Sequence, residues 1–345
     1  ITVQHDNTGT ATITAAMVDN GSSDNCAIAG LALSQAGFSC ASVGGNVVTL
    51  TVTDVNGNSA TCAATAVVQD TVAPTAACQD VTVQLNNTGT GTTTAAAVDD
   101  GSADACGIAN LGISQSSFGC ADVGVNNVVL TVSDVNGNSA TCAATVTVQD
   151  AVAPTAACRD VTVQLDNQGL GSTTAAAVDN GSGDACGIAG LALSPTSFTC
   201  GDVGTNAVTL TVTDGNGNSS TCSATVTVED NVAPNAICQA ITVQLGTTGS
   251  GTTTAAAVDN GSSDACGIAS VGLSQTSFGC NDVGAINLTL TVVDVNGNGS
   301  TCTAVATIVD GIAPTAACQD VTVQLNGAGT GSTTAGAVND GSRDA

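Results

Sequence analysis

Apolar and polar residues alternate over short stretches along the whole chain, and residues 73–150 illustrate the pattern. Val81-Thr-Val-Gln-Leu85 alternates strictly, and Val128, Leu130 and Val132 fall on one face of the run 128–133. Between residues 139 and 149, Ala140, Cys142, Ala144, Val146 and Val148 share one face, with Thr141, Thr145 and Thr147 on the other. A period of two with β-branched residues predicts half-buried strands. Further strands are predicted over 92–98 and 108–114, and no segment carries a helical stripe. The stretches between them, 86–91, 99–102 and 134–138, have turn chemistry, and Asn136-Gly137 is a strong hairpin signal.

The pattern repeats. Cysteines stand at 26, 40, 62 and 78 and return after every 80 residues without insertion or deletion, as do Phe38 and Pro74. The expected units are 1–72, 73–152, 153–232, 233–312 and 313–345, with the first lacking its first strand and the last only begun. The chain starts without Met and starts and stops in mid-unit, so it reads as a window from a longer protein. About six or seven short strands per unit predict an all-β fold, a tandem array of small antiparallel immunoglobulin-like β-sandwiches.

Composition narrows the function. Acidic residues number 28 against two Arg, no Lys and one His, for a net charge of −26. Without Lys there is no Schiff-base chemistry and no phosphate-loop lysine, so no organic cofactor is expected. A single His leaves no repeated general base and no His-rich zinc site. A chain this acidic, with aromatics at 1%, has neither basic patches nor stacking platforms for nucleic acid. No apolar run is long enough to cross a membrane. The composition points away from catalysis. His5, Arg159 and Arg343 are expected as isolated surface residues.

The interior is Val, Ala, Ile and Leu with one Phe per unit, a weak core for an 80-residue domain. Four cysteines per unit, without metal-type spacing or His partners, read as disulfides and therefore as an oxidising, extracellular compartment. Three pairings per unit are possible. The favoured scheme joins Cys78 to Cys142, Cys158 to Cys222 and Cys238 to Cys302, tying first strand to last. It also closes local loops between Cys26 and Cys40, Cys106 and Cys120, Cys186 and Cys200, and Cys266 and Cys280. The rival pairing, Cys62 with Cys78, clips neighbouring units together.

Ala73-Pro-Thr-Ala-Ala-Cys78, with Asp134-Val-Asn-Gly-Asn-Ser-Ala-Thr-Cys142 and the strand after it, resembles hyalin-repeat (HYR) domains. With Asp99-Asp-Gly-Ser-Ala-Asp-Ala-Cys-Gly-Ile108 between them, the units resemble tandem repeats in large secreted surface proteins of Bacteroidota. The resemblance covers the whole chain. It implies an immunoglobulin-like fold, an extracellular location and an adhesive or structural role, and it carries no catalytic residues.

Acidic residues gather in the loops. Strand parity brings the junction residue Asp70, the loop residues Asp99 and Asp104 and the hairpin Asp134, Asn136 and Asn138 to the end where the chain enters a unit. The same set recurs as Asp150, Asp179, Asp184, Asp214, Asn216 and Asn218, and as Asp230, Asp259, Asp264, Asp294, Asn296 and Asn298. Oxygen ligands without competing Lys suit Ca²⁺, which takes 6–8 oxygens. Asp134-x-Asn136-x-Asn138 mimics the start of an EF-hand loop, although its Gly is misplaced and no bidentate Glu follows. The plainer alternatives are Asx-turns in a hairpin and acidity that only keeps the surface soluble.

Three functions fit these residues. The first is a stiff extracellular stalk or filament, its partners being neighbouring repeats and other copies of the chain. The second is a multivalent adhesive module for a glycan, a surface or ice, and the third a spacer in a secreted enzyme.

Overall fold

In the computed structural model, which describes residues 1–344, the chain falls into two compact units. One comprises residues 1–155, 183–190 and 213–220, the other the described residues 156–182, 191–212 and 221–344. The second 80-residue repeat lies within the first unit and shows the topology. Its strands are β1 (Val81–Gln84), β2 (Thr90–Thr92), β3 (Ile108–Ile113), β4 (Ser117–Gly119), β5 (Gly124–Asp134) and β6 (Ser139–Gln149). A single helical turn, α1 (Ala95–Val98), follows β2.

The larger sheet has the order β1-β6-β5-β3, and β4 pairs with β2 in a second, two-stranded layer. The longest ladder is the β5–β6 hairpin, antiparallel with Leu130 opposite Cys142 and Val128 opposite Ala144. Strand β1 joins β6 in parallel, Val81 beside Val146 and Val83 beside Val148. Every side chain expected on the inner face of β5 is buried, and Ala144, Val146 and Val148 cover them from β6. Val83, Leu85, Val98 and Phe118 complete the core from the other elements. The fourth repeat has the same strand order, formed by Ile241–Gln244, Gly299–Val309, Gly284–Asp294 and Ile268–Leu273. The fold is therefore an all-β array of immunoglobulin-like sandwiches.

Three expectations are corrected. Residues 92–98 do not form one strand: β2 ends at Thr92, and Ala95-Ala-Ala-Val98 closes into a helical turn. Alanine has the highest helix propensity, and the Thr94 hydroxyl oxygen accepts from the Ala97 amide at 3.2 Å as an N-cap. The first repeat does not lack its first strand, because Ile1-Thr-Val-Gln4 is the counterpart of 81–84 and Thr2–Gln4 pairs in parallel with the strand Ser59–Gln69. His5 is not a surface residue but is buried. Its counterparts 80, 160 and 240 residues on are Leu85, Leu165 and Leu245, all core positions.

Although the strand 92–98 is absent, the 99–104 loop does lie where the chain enters the repeat. Thr75 and Ala103 exchange backbone hydrogen bonds of 2.8 and 3.0 Å, and Cys78 bridges Asp99. We call this the leading end of the repeat. β3 and β6 run away from it, and β5 returns to it, so the 134–138 hairpin is at the leading end and the turn 86–89 at the trailing one.

Candidate cation site at the repeat junctions

The disulfides define how one repeat meets the next. Cys78–Cys142, Cys158–Cys222 and Cys238–Cys302 form within repeats, tying the segment before β1, or its counterpart, to the last strand. The local loops expected for the other cysteines do not form. Cys106 bonds Cys40 of the preceding repeat, Cys120 bonds Cys186 of the following one, and Cys200 bonds Cys266. The reason is distance. β3 carries the chain ~20 Å from the leading end, at ~3.3 Å per residue. Cys120, in a 3₁₀ turn after β4, therefore stays at the trailing end, whereas disulfide bonding needs Cα atoms within about 7 Å. Across the junction the Cα atoms of Cys120 and Cys186 are 5.2 Å apart. The rival Cys62–Cys78 pair is also absent; Cys26, Cys62 and Cys318 are exposed thiols.

Gly89, in the turn before β2, explains how closely the repeats approach. Its φ is +69°, and a Cβ there would lie 2.7 Å from Cys120 Sγ and 3.2 Å from Ala185 Cβ of the next repeat. Both constraints exclude any side chain. The sequence shows this glycine recurring but gives no hint that a neighbouring repeat packs against it.

The acidic groups divide into two sets. Asp134 is buried and belongs to its own hairpin. Its Oδ1 accepts from the amides of Asn136 at 2.9 Å and Asn138 at 2.8 Å, and its Oδ2 from Asn138 Nδ2 at 2.7 Å. Burial pushes its carboxyl up, but hydrogen bonds from the Asn138 side chain and from the backbone of 136–138 outweigh this and hold it below the usual range. Asp214 and Asp294 repeat the arrangement. Asn138 Nδ2 also donates to the Asp70 carbonyl at 3.2 Å, and Asn218 and Asn298 reach Asp150 and Asp230 likewise, so this hairpin is fastened to the junction. Asp99, Asp179 and Asp259 accept from Ser102, Ser182 and Ser262, and the serine hydroxyl hydrogen bond above all lowers each carboxyl. These residues act as turn-formers.

The second set is different. Asp70 Oδ1 accepts from the Val72 amide at 3.1 Å, but Oδ2 is buried without a hydrogen-bond partner. Asp104 Oδ1 accepts from the Cys106 amide at 2.7 Å. Oxygens of the two carboxylates lie within 4.8 Å of each other, beside the sulfur of Cys106. Asp150 with Asp184 and Asp230 with Asp264 repeat the pair, and Oδ2 of Asp150 and of Asp230 is again buried and unpartnered. Asp230 is only 6% exposed. Asn136, which lines a cavity with Asp70, has a buried, unpartnered Oδ1, as does Asn296. Asn216 is exposed.

Oδ2 of Asp70, Asp150 and Asp230 and Oδ1 of Asn136 and Asn296 are thus buried acceptors without donors, and each of the three aspartates stands in a close carboxylate pair. Buried acceptors are ordinarily satisfied, and the chain has no Lys to supply the charge. The donor set is all oxygen and hard, which fits Ca²⁺. The disulfide sulfur is neutral and serves as wall. Of the residues singled out from sequence, the structure thus pairs Asp70 with Asp104, places Asn136 in a cavity with Asp70, and engages Asp99, Asp134 and Asn138 in turns and fastening.

No family model matches the chain, and no curated protein matches it. Among solved structures, the protocadherin GammaB4 extracellular domain matches with TM-score 0.31 and 13% identity, over 81% of this chain and 56% of that one. Sidekick-1 immunoglobulin domains 1–5 match with TM-score 0.29 and 10% identity, over 77% and 67%. The human desmocollin-1 ectodomain matches with TM-score 0.23 and 11% identity, over 81% and 70%. The chain spans little more than half the protocadherin's length.

Proposed function

We propose that the chain is a non-catalytic extracellular structural repeat of hyalin-repeat type, part of a stalk or filament whose junctions are clipped by disulfides and tightened by Ca²⁺. The observation that carries this reading is the coincidence, at three successive junctions, of a disulfide joining consecutive repeats with a close pair of carboxylates. The disulfides require an oxidising compartment, and extracellular calcium at millimolar concentration is the hard cation available there. In this reading Asp70, Asp104 and Asn136 hold the ion, with water filling the remaining positions. Asp150 with Asp184 does so at the next junction, and Asp230 with Asp264 and Asn296 at the one after. Neutralising the pair removes repulsion across the contact and stiffens it.

Calorimetric titration of the chelator-treated chain with CaCl₂ at pH 7 tests the proposal. Heat saturating at a Kd of about 10⁻⁴ M is expected, the range of extracellular modules. At ~2 mM calcium such a site adds about 1–2 kcal/mol of stability per junction. EDTA is expected to lower the melting temperature, and Asp230→Asn with Asp264→Asn to remove one site from the stoichiometry. Absence of heat together with identical melting in calcium and EDTA contradicts the reading.

A further inference from the structure

The six disulfides interlace. Cys40–Cys106 encloses Cys78, Cys78–Cys142 encloses Cys106 and Cys120, and the overlap continues to Cys238–Cys302. Every peptide bond between Cys40 and Cys302 is therefore spanned by at least one disulfide.

The connectivity has more order than overlap alone requires. One continuous covalent path runs from Cys40 to Cys106, along the backbone to Cys120, across to Cys186, along to Cys200 and across to Cys266. A second runs from Cys78 to Cys142, along to Cys158, across to Cys222, along to Cys238 and across to Cys302. The two paths share no atom. The backbone stretches left over (40–78, 78–106, 120–142, 158–186, 200–222, 238–266 and 266–302) each join one path to the other. We infer that the oxidised chain is a two-railed covalent ladder, a tether that stays joined through a backbone cut anywhere along it and that tension cannot draw out to its backbone length.

The lengths follow from the spacing. The first rail contains 14 backbone residues per 80-residue period, Cys106 to Cys120, and the second 16, Cys142 to Cys158. At ~3.5 Å per residue the shorter rail becomes taut near 50 Å per period, where an unbridged backbone would reach about 280 Å. Unfolding a repeat under load therefore releases little slack. Loss of one disulfide, or one cut by a peptidase, leaves the other rail intact. For a secreted array with a weak core, strength then resides in covalent connectivity rather than in folding free energy. This inference needs only the pairing of the cysteines and does not depend on calcium.

The native chain contains its own test. Asn–Gly bonds occur after Asn20, Asn56, Asn136, Asn180, Asn216, Asn260, Asn296, Asn298 and Asn326, and hydroxylamine cleaves such bonds in unfolded protein. The unreduced chain, its thiols first blocked with N-ethylmaleimide, is denatured, cleaved and separated without reductant. The ladder holds fragments 21–56, 57–136, 137–180, 181–216, 217–260, 261–296 and 299–326 together as one species, which falls into seven pieces on reduction. Release of 181–216 and 261–296 without reductant overturns the inference, because cysteines paired inside those fragments, Cys186 with Cys200 and Cys266 with Cys280, cannot bridge repeats.

Discussion

Replacing Cys78 and Cys142 by alanine is expected to raise amide exchange in β5 and β6 of the second repeat by about 1,000-fold. The bond closes a stretch of 64 residues, and its Cα–Cα distance of 6.0 Å is that of an ordinary disulfide. On the chain-entropy relation, opening such a loop destabilises the folded state by about 4 kcal/mol, close to three decades in an opening equilibrium. The site magnifies the effect. Cys142 faces inward from β6 opposite Leu130, and the core around it has one aromatic ring, Phe118. A sandwich of this size has little reserve to absorb such a loss. Hydrogen exchange read by mass spectrometry is the suitable probe, since the chain contains neither Trp nor Tyr. Exchange in the second repeat that stays within threefold of the parent would show that the bond is dispensable to this sandwich.

Asp134→Ala is expected to cost about 3 kcal/mol at pH 7. The carboxylate is 3% exposed and takes three donors, so its removal strands the amides of Asn136 and Asn138 and leaves Asn138 Nδ2 only the Asp70 carbonyl. Hydrogen bonds to a charged group contribute about 1.5–3 kcal/mol each, and unpaired buried donors cost about 1–3. The loss has a pH signature. Asp134 in the folded chain titrates below its unfolded value of about 3.9. Its contribution is therefore fully present above that value and disappears as pH falls through the folded one. Urea unfolding followed by circular dichroism should give parent and variant curves separated by a constant amount above about pH 5, converging below pH 4. A gap that persists unchanged at pH 2 would show that the carboxylate charge is not what holds the turn.

How far the fold can be read from its residues depends on the signal each element carries. β5 and β6 are legible because Val128, Leu130, Val132, Val146 and Val148 alternate with polar or exposed neighbours, and the Asn136-Gly137 turn joins them. The helical turn at 95–98 is not, since a three-alanine run has no periodicity and Thr94 reads equally well as strand or cap. His5 is misread when set against Asn86 and Asp166, which are the counterparts of Asp6; its own counterpart is Leu85. Cysteine pairing is the instructive failure. Cys120 follows Cys106 by 14 positions, a spacing equally suited to a local loop. Only the direction of β3, and the pairing of β4 with β2, reveal that the two lie at opposite ends of the repeat.

The acidic site is legible in part for a related reason. Strand parity gathers Asp70, Asp104 and the hairpin at the leading end, but it does not distinguish a carboxylate consumed by its own turn from one left unpartnered. That distinction depends on hydrogen-bond geometry. Asp134 stands in the more suggestive motif yet is fully engaged, while Asp70, in a plain junction, keeps a buried oxygen free.

Diffraction from crystals of the oxidised chain grown in calcium, recorded at a wavelength where sulfur and calcium both scatter anomalously, tests the junction most directly. Paired sulfur peaks joining Cys40 to Cys106 and Cys120 to Cys186 are expected, with a calcium peak between the carboxylates of Asp70 and Asp104. Sulfur peaks joining Cys106 to Cys120, with nothing between Asp70 and Asp104, would contradict this arrangement.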